Sequence, residues 1–126
     1  MGLIIKEHTI TGNRASDVVR VLYDSGASKS FIRTDIAKVL GDTGPAVETL
    51  TFMMADGQVG FTADSIMNLV VDADGTRLTH NFYVVDDLAE ELVIGADIMQ
   101  QWEIILDLEN EAVSIDPRAL YLNTRA

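Results

Sequence analysis

The sequence predicts a single all-β domain, and three observations indicate this fold class. Short apolar and β-branched stretches recur at intervals typical of a sandwich or barrel. The pairs Asp56-Gly57 and Asp74-Gly75 separate such stretches and predict tight turns, because glycine accepts the positive φ that these turns require. The chain has 126 residues, of which 48% are hydrophobic, so it can bury one core but is too short for two domains.

Seven stretches have the composition and length of strands. The two Asp-Gly pairs fall inside the range Val47 to Val85, which is therefore predicted to form three strands joined by two hairpins. The predicted strands are Leu3 to Ile10, Val18 to Tyr23, Val47 to Met53, Val59 to Val71, Leu78 to Val85, Ile104 to Leu108 and Ala112 to Ile115.

Two short helices are predicted between the strands. The first runs from Thr34 to Leu40, with Thr34 as its capping residue and Gly41 at its end. The second runs from Ala96 to Trp102 and follows Gly95. Its predicted buried face consists of Ile98, Met99 and Trp102.

Composition excludes several kinds of site and partner. The chain has no cysteine, which excludes disulfides, thiolate catalysis and cysteine-ligated zinc. Its net charge of -11 repels phosphate backbones, so we expect no nucleic-acid partner. No apolar run approaches the roughly 18 residues of a membrane span, and Met1 to Ile10 lack the features of a secretory signal. We therefore expect no membrane partner and a cytoplasmic location.

Two acidic stretches raise the question of a metal site. The stretch VDADGT, residues 71–76, resembles the start of a calcium loop but lacks the later oxygen ligands, so a hairpin is predicted instead. The run DDLAEE, residues 86–91, is predicted to be a solvated loop. We expect no metal and no cofactor.

Three serines, Ser25, Ser28 and Ser30, raise the question of a serine hydrolase. That chemistry requires a histidine base oriented by an acid. His8 and His80 are isolated in the sequence from any second motif element. A serine hydrolase is therefore not predicted.

The stretch VLYDSGASKSFI, residues 21–32, places an acid where an apolar strand ends. A buried, ionised carboxylate costs several kcal/mol unless it is hydrogen-bonded, paired or neutralised. One interpretation is an Asx-type turn, in which Asp24 accepts hydrogen bonds from the amides of Gly26 and Ala27. The other interpretation is a catalytic site. The tripeptide Asp-Ser-Gly alone does not decide between them.

Later parts of the chain favour the second interpretation. Three motifs, in order, resemble those of the retropepsin-like aspartic proteases: an Asp-Ser/Thr-Gly-Ala loop after a strand, a hairpin flap, and two apolar residues with a glycine that opens a helix. In this chain they are LYDSGAS at 22–28, FMMADGQVGF at 52–61, and LVIGADIM at 92–99, which runs into IILDL at 104–108.

The resemblance extends over about residues 3–116 and implies a fold and a domain division. The implied fold is a closed acid-protease β-barrel half-domain with one or two short helices, paired as a two-fold homodimer. Residues 1–116 would form the retropepsin-like domain, and residues 117–126 would be a C-terminal tail.

The resemblance also implies an activity, that of an aspartic endopeptidase with a polypeptide substrate. Asp24 would be the catalytic residue. The implied residues of the active-site loop are Ser25, Gly26, Ala27 and Ser28, and those of the pocket and flap are Leu22, Met54, Ala55, Asp56, Gly57, Val93 and Gly95.

The chain departs from the family pattern at three positions. Ser25 stands where threonine is commoner, which keeps the hydroxyl. Ala96 stands where many retroviral members carry an arginine, so a dimer contact made by that arginine is not expected. Ser28 replaces an acid of some viral members and offers only a neutral hydrogen bond to substrate.

We predict one catalytic Asp-Ser/Thr-Gly motif per chain, whereas aspartic-protease chemistry needs two carboxylates that share one proton. A homodimer would supply both, one Asp24 from each copy. Two alternatives remain open: an inactive dimerisation or peptide-binding module of the same fold, and a monomeric β-domain in which Asp24 is only a turn residue.

Overall fold

The computed structural model of the protein describes residues 3–53 and 59–115, which contain nine strands and two short helices. In chain order the elements are β1 (Leu3–Thr11), β2 (Ser16–Asp24), β3 (Phe31–Arg33), α1 (Thr34–Leu40), β4 (Gly44–Met53), β5 (Val59–Ala73), β6 (Thr76–Val85), β7 (Leu92–Ile94), α2 (Ala96–Gln101), β8 (Ile104–Asp107) and β9 (Ala112–Ile115).

Six strands close into a barrel in the order β1-β2-β7-β3-β6-β5, and β5 pairs back to β1. β4 pairs with the first part of β5, up to Ile66, whereas β1 pairs with β5 from Val70 to Asp72. The strands β8 and β9 form a separate two-stranded sheet. The predicted all-β closed barrel is confirmed. The strand prediction missed β3 and β7, whose three residues each are too few to display a periodicity.

The hairpin predicted at VDADGT is confirmed, and the calcium loop is not formed. β5 and β6 pair antiparallel up to Ala73 and Thr76. Between them Asp74 and Gly75 have φ angles of 52° and 94°, the positive values that a two-residue hairpin turn requires. β4 and β5 also pair antiparallel. The Asp56-Gly57 turn predicted between them lies outside the described residues.

The first helix has the predicted bounds, but Thr34 does not cap it. The Thr34 hydroxyl donates a 2.5 Å hydrogen bond to Oδ1 of Asp86, and the start of α1 has no side-chain cap. Thr34 is itself the first residue of α1, and Arg33 occupies the cap position, so the Thr34 hydroxyl lies one residue too late to accept the capping bonds. At the other end the amide of Gly41 donates to the carbonyl of Ala37 and closes the helix.

The second helix ends one residue earlier than predicted, at Gln101, and Trp102 follows as its C-cap. Neither helix in the described ranges is long and apolar enough to cross a membrane. The predicted buried face is confirmed for Ile98, Met99 and Trp102, which are 1%, 7% and 3% exposed.

Buried apolar side chains form two clusters. The larger one fills the barrel and includes Tyr23, Phe82 and Trp102. The smaller one, which we call the Phe31 cluster, is built on Phe31, Ala63, Val85 and Val93. Residues of β3 and β7 lie in these clusters, so burial and pairing stabilise the two strands although each has only three residues.

His8 is not isolated, as the sequence suggested, but buried beside the core. Its Nε2 lies 2.8 Å from the hydroxyl of Tyr23. Burial lowers the pKa of His8, and the nearby carboxylates of Asp74 and Asp72 partly oppose that shift. The pair satisfies two polar groups inside the barrel wall.

Candidate active site

The strand β7 lies between β2 and β3 and thereby fixes the ends of the loop 25–30. β2 pairs parallel with β7, so that Leu22 lies opposite Val93. β3 pairs antiparallel with the same strand, so that Phe31 also lies opposite Val93. The loop must therefore pass over the end of β7 to join β2 to β3.

Asp24 is the last residue of β2, and its side chain begins this loop. Oδ1 of Asp24 accepts a 2.9 Å hydrogen bond from the amide of Gly26, as the Asx-turn interpretation predicts. The amide of Ala27 instead donates to the backbone carbonyl of Asp24, at 3.1 Å, which corrects the second predicted bond. A catalytic carboxylate also needs a fixed orientation, so the Gly26 bond is compatible with both interpretations.

The expectation that Asp24 is a buried acid is wrong for the single chain. Asp24 is half-buried, and Ser25, Gly26 and Ser28 are exposed, whereas Ala27 is half-buried. The carboxylate can therefore reach water and a second protein chain. The full desolvation that the sequence suggested is therefore not present at Asp24 in the single chain.

The start of α2 is hydrogen-bonded to the loop 25–30. The amide of Gly95 donates to Oγ of Ser30 at 2.9 Å, and the amide of Ala96 donates to the carbonyl of Ala27 at 2.7 Å. A Cβ at position 95 would lie 2.2 Å from the carbonyl oxygen of Lys29 and 2.7 Å from that of Ala27. Only glycine allows the two backbones to approach this closely.

Ser30 and Asp97 extend this support, and sequence analysis did not pair them. The Ser30 hydroxyl is buried and donates a 2.7 Å hydrogen bond to Oδ1 of Asp97. Oδ2 of Asp97 lies 3.5 Å from Nε2 of His80, so His80 is not isolated as the sequence suggested. The signals in the sequence were an acid two residues after Gly95 and one of only two histidines.

The Ser30, Asp97 and His80 arrangement is not that of a serine hydrolase. The carboxylate lies between the hydroxyl and the imidazole, whereas a hydrolase needs the imidazole next to the hydroxyl. Burial raises the pKa of Asp97, but hydrogen bonds from His80, Ser30 and the amide of Ile98 outweigh it and lower the pKa below its usual value. Asp97 is thus held as a charged acceptor.

This lowered pKa predicts a contribution to stability that depends on pH. A carboxylate whose pKa is lower in the folded state stabilises the fold above its unfolded pKa, and loses that contribution as the pH falls through the folded pKa. Between about pH 7 and about pH 3, the free energy of unfolding should therefore fall less for Asp97→Asn than for the unchanged protein. Urea unfolding at both pH values tests this, and equal losses would contradict it.

The predicted pocket residues Leu22 and Val93 lie together in the Phe31 cluster, with Ala27 packed against it. Phe31 also contacts the two strands that lead to the predicted flap, since its ring centroid lies 4.7 Å from that of Phe52 and 5.3 Å from that of Phe61. The predicted flap residues Met54, Ala55, Asp56 and Gly57 lie outside the described residues.

A groove of about 410 Å³ lies next to Ser25 in this loop. It does not involve Leu22 or Val93. The helix α2 and the strand β8 form its walls, and the large side chains Ile105 and Leu108 are exposed on β8 and just after it. The residues that line the groove beyond Ser25 are Ala96, Met99, Gln100, Ile104, Leu106 and Leu108.

The sequence contains a second Asp-Ser/Thr-Gly tripeptide, Asp42-Thr43-Gly44, so the expectation that this tripeptide occurs only once in the chain was wrong. It follows a helix rather than a strand. Asp42 forms a 2.9 Å ion pair with Arg14 and accepts a hydrogen bond from Asn13, both in the turn between β1 and β2. That turn lies at the opposite end of β2 from Asp24, so Asp42 is not its catalytic partner within one chain.

Metal ligands were not expected. Within residues 3–53 and 59–115, no three or more His, Asp or Glu side chains are grouped so that they could hold a metal ion. The acid that begins the loop is Asp24, whose carboxylate is held by the amide of Gly26.

Comparison with known proteins agrees with this geometry. At 27% identity over 103 residues, the chain is similar to the Protein DDI1 homolog of Leishmania major, covering 79% of this chain and 25% of that protein. The chain thus spans about a quarter of the length of that curated relative.

Two solved structures have the same fold. The retroviral protease-like domain of Ddi1 from Leishmania major has a TM-score of 0.65 and 23% identity, with 93% of this chain and 90% of that chain covered. The EIAV protease, solved with an inhibitor, has a TM-score of 0.57 and 19% identity, with 82% and 93% covered.

A family model described as the Ty3 transposon peptidase matches residues 5–121. This range includes the barrel, the Asp24 loop and α2. The resemblance to retropepsin-like proteases is thereby confirmed. Since the match extends over nearly the whole chain, the protein belongs to the Ty3 transposon peptidase family.

Proposed function

We propose that the protein is an aspartic endopeptidase that acts as a homodimer and hydrolyses peptide bonds with Asp24 of each copy. The observation that carries this proposal is the position of Asp24. Its carboxylate is half-buried at the end of β2 and fixed by the Gly26 amide, in a loop that α2 supports. Gly95 lets α2 approach the backbone of this loop closely at Lys29 and Ala27, so the loop that carries Asp24 is held in one conformation.

The chemistry follows from two such carboxylates facing each other. Like charges at close range cannot both be ionised, so the pair shares one proton and titrates in two macroscopic steps. The ionised Asp24 accepts a proton from a water molecule, whose oxygen attacks the scissile carbonyl. The protonated Asp24 donates its proton to the carbonyl oxygen, which gives a tetrahedral diol without a covalent enzyme intermediate.

The dimer is supported by surfaces that are incomplete in one copy. Ser25 is exposed at the mouth of the groove, and the apolar side chains of Ile105 and Leu108 are exposed beyond it. A second copy related by a two-fold axis would cover both the loop and this apolar surface. The hydroxyl of Ser25 is then placed to bond across the axis and hold the two loops together.

The proposed substrate is a polypeptide in extended conformation. Leu22 and Val93 would form apolar walls beside the cleaved bond, and the residues 54–57 would close over the substrate as a flap, in which an extended peptide pairs as an added strand. Gly26 would allow the substrate backbone to approach. Apolar side chains next to the cleaved bond are expected to be preferred, and a cytoplasmic location is part of the same proposal.

The test is incubation with a pool of peptides over a range of pH, with sedimentation velocity on the same samples. We expect cleavage between apolar residues at acidic to mildly acidic pH and a dimer at concentrations of about 10 μM, since the site is incomplete without it. A dimer that binds peptides without cleaving them would indicate an inactive peptide-binding module. A monomer at high concentration would contradict both the dimer and the mechanism.

A further inference from the structure

The pocket beside the active-site loop holds a histidine that the proposed mechanism does not use. His80 projects from β6, and its side chain is 20% exposed at a surface pocket of about 290 Å³. Protons can therefore exchange with the ring. Histidine is the side chain that most readily changes charge between about pH 5 and pH 8.

A short chain of contacts joins this ring to the loop that carries Asp24. Nε2 of His80 lies 3.5 Å from Oδ2 of Asp97, and Oδ1 of Asp97 accepts the hydroxyl of Ser30 at 2.7 Å. Oγ of Ser30 in turn accepts the amide of Gly95 at 2.9 Å. The backbone carbonyl of Ser30 also accepts the amide of Tyr83, which lies on the same strand as His80.

We propose that His80 is a positioning residue for the loop that carries Asp24, and that its protonation tightens the loop through Asp97 and Ser30. This inference rests on the proposed function where it concerns cleavage. A charged imidazolium forms a shorter and stronger hydrogen bond to a carboxylate than a neutral ring does. Asp97 is then held in place, and through it the hydroxyl of Ser30 and the Gly95 amide that bonds this hydroxyl.

The groups around the ring set the sign of this effect. Asp97 of α2 is the acid that faces His80, with its Oδ2 at 3.5 Å from Nε2 of the ring. Lys29 of the loop lines the same pocket and is the other charged group there, and it is exposed to solvent, which screens its charge. Tyr83 of β6 lines it as well, and β5 contributes the apolar Ile66. A protonated ring attracts the carboxylate at 3.5 Å, so the loop should be firmest at acidic pH.

The pH range of this effect coincides with that of the proposed chemistry. The pair of Asp24 carboxylates is active while it holds one proton, at acidic to mildly acidic pH. A loop that is firmest in the same range would align the two carboxylates when they are able to react. His80 would therefore sharpen the fall of activity as the pH rises.

The first experiment measures amide hydrogen exchange of the full chain, which does not depend on activity. The reporters are the amides of Gly95 and Ala96, and the amide of Gly12, which bonds the carbonyl of Ala15, is the reference. From about pH 8 to about pH 5, the protection factors of the reporters should rise roughly threefold to tenfold relative to the reference.

Two variants remove the charge without removing the hydrogen-bonding groups. In His80→Gln and in Asp97→Asn this rise should disappear, while Asp24 is present in all three proteins. The reference amide shows whether each variant is folded, and the second variant decides the question if the first does not fold. If both folded variants keep the wild-type rise, His80 does not position the loop.

The second experiment measures peptide cleavage by the same proteins. We expect His80→Gln to lower kcat/KM at about pH 5 by roughly threefold to tenfold, with a smaller loss at about pH 8. If the wild type cleaves no peptide, the proposed function fails, and the exchange experiment alone decides the role of His80. If His80→Gln loses the same factor at both pH values, the role of the histidine is structural and the proposal is overturned.

Discussion

The Asp24→Asn protein is expected to fold and to dimerise, but to cleave peptides at least about a thousandfold more slowly than the wild type. Asparagine has nearly the shape of aspartate, and its amide oxygen can still accept the hydrogen bond from the Gly26 amide. It can neither accept the proton of the attacking water nor share a proton with its copy. The measurement is peptide cleavage across pH, with the dimer content followed by sedimentation.

The matched control is Asp17→Asn, at the other end of the same strand. Asp17 is exposed, and its carboxylate accepts only a local bond from the amide of Val18 among the hydrogen bonds described for it. This variant should cleave as fast as the wild type. The proposal is wrong if a folded, dimeric Asp24→Asn protein also does so, because Asp24 is then a turn residue.

Among glycine-to-alanine substitutions in the described residues of the candidate site, Gly95→Ala is expected to cause the largest loss of stability and activity. The new Cβ would lie 2.2 Å from a backbone oxygen of Lys29 and 2.7 Å from one of Ala27, and backbone atoms cannot rotate out of its way. The loop must move away from α2. We expect a loss of at least about 2 kcal/mol in the free energy of unfolding and a loss of peptide cleavage.

Gly44→Ala is the matched control for this change. A Cβ at Gly44 has no heavy atom within 4 Å, and the residue does not adopt a positive φ. Its free energy of unfolding should stay within about 0.5 kcal/mol of the wild type. Urea unfolding of both variants gives the comparison. A Gly95→Ala protein as stable and as active as Gly44→Ala would disprove the close contact between the loop and α2.

Local signals in the sequence were sufficient for much of the fold. Asp74-Gly75 needs positive φ angles at both positions, and these residue types accept such angles, so the hairpin was predictable. β7 was not predictable from its three residues, because what makes it a strand is its pairing with β2 and β3. Thr34 failed as a cap because the helix begins at Thr34 itself and Arg33 takes the cap position, and local sequence does not define a helix boundary to one residue.

Some features of the candidate site were likewise predictable from the sequence, and others were not. Asp24 and Gly95 were predictable, because a turn acid after an apolar strand and a glycine before a helix are patterns within a few residues. The half-burial of Asp24 was not, since the burial of a loop depends on what covers it. The contact between His80 and Asp97 was not predictable either, because only the closure of the barrel brings β6 next to α2.

The position of β7 between β2 and β3 also sets the order of events during synthesis. The Asp24 loop leaves the ribosome before β7, the strand that separates the two ends of that loop and begins at Leu92. The glycine that supports the loop follows at position 95. Pairings between segments this distant in the chain form late in folding. A nascent chain that stops short of β7 therefore lacks the strand pairing that fixes both ends of the Asp24 loop.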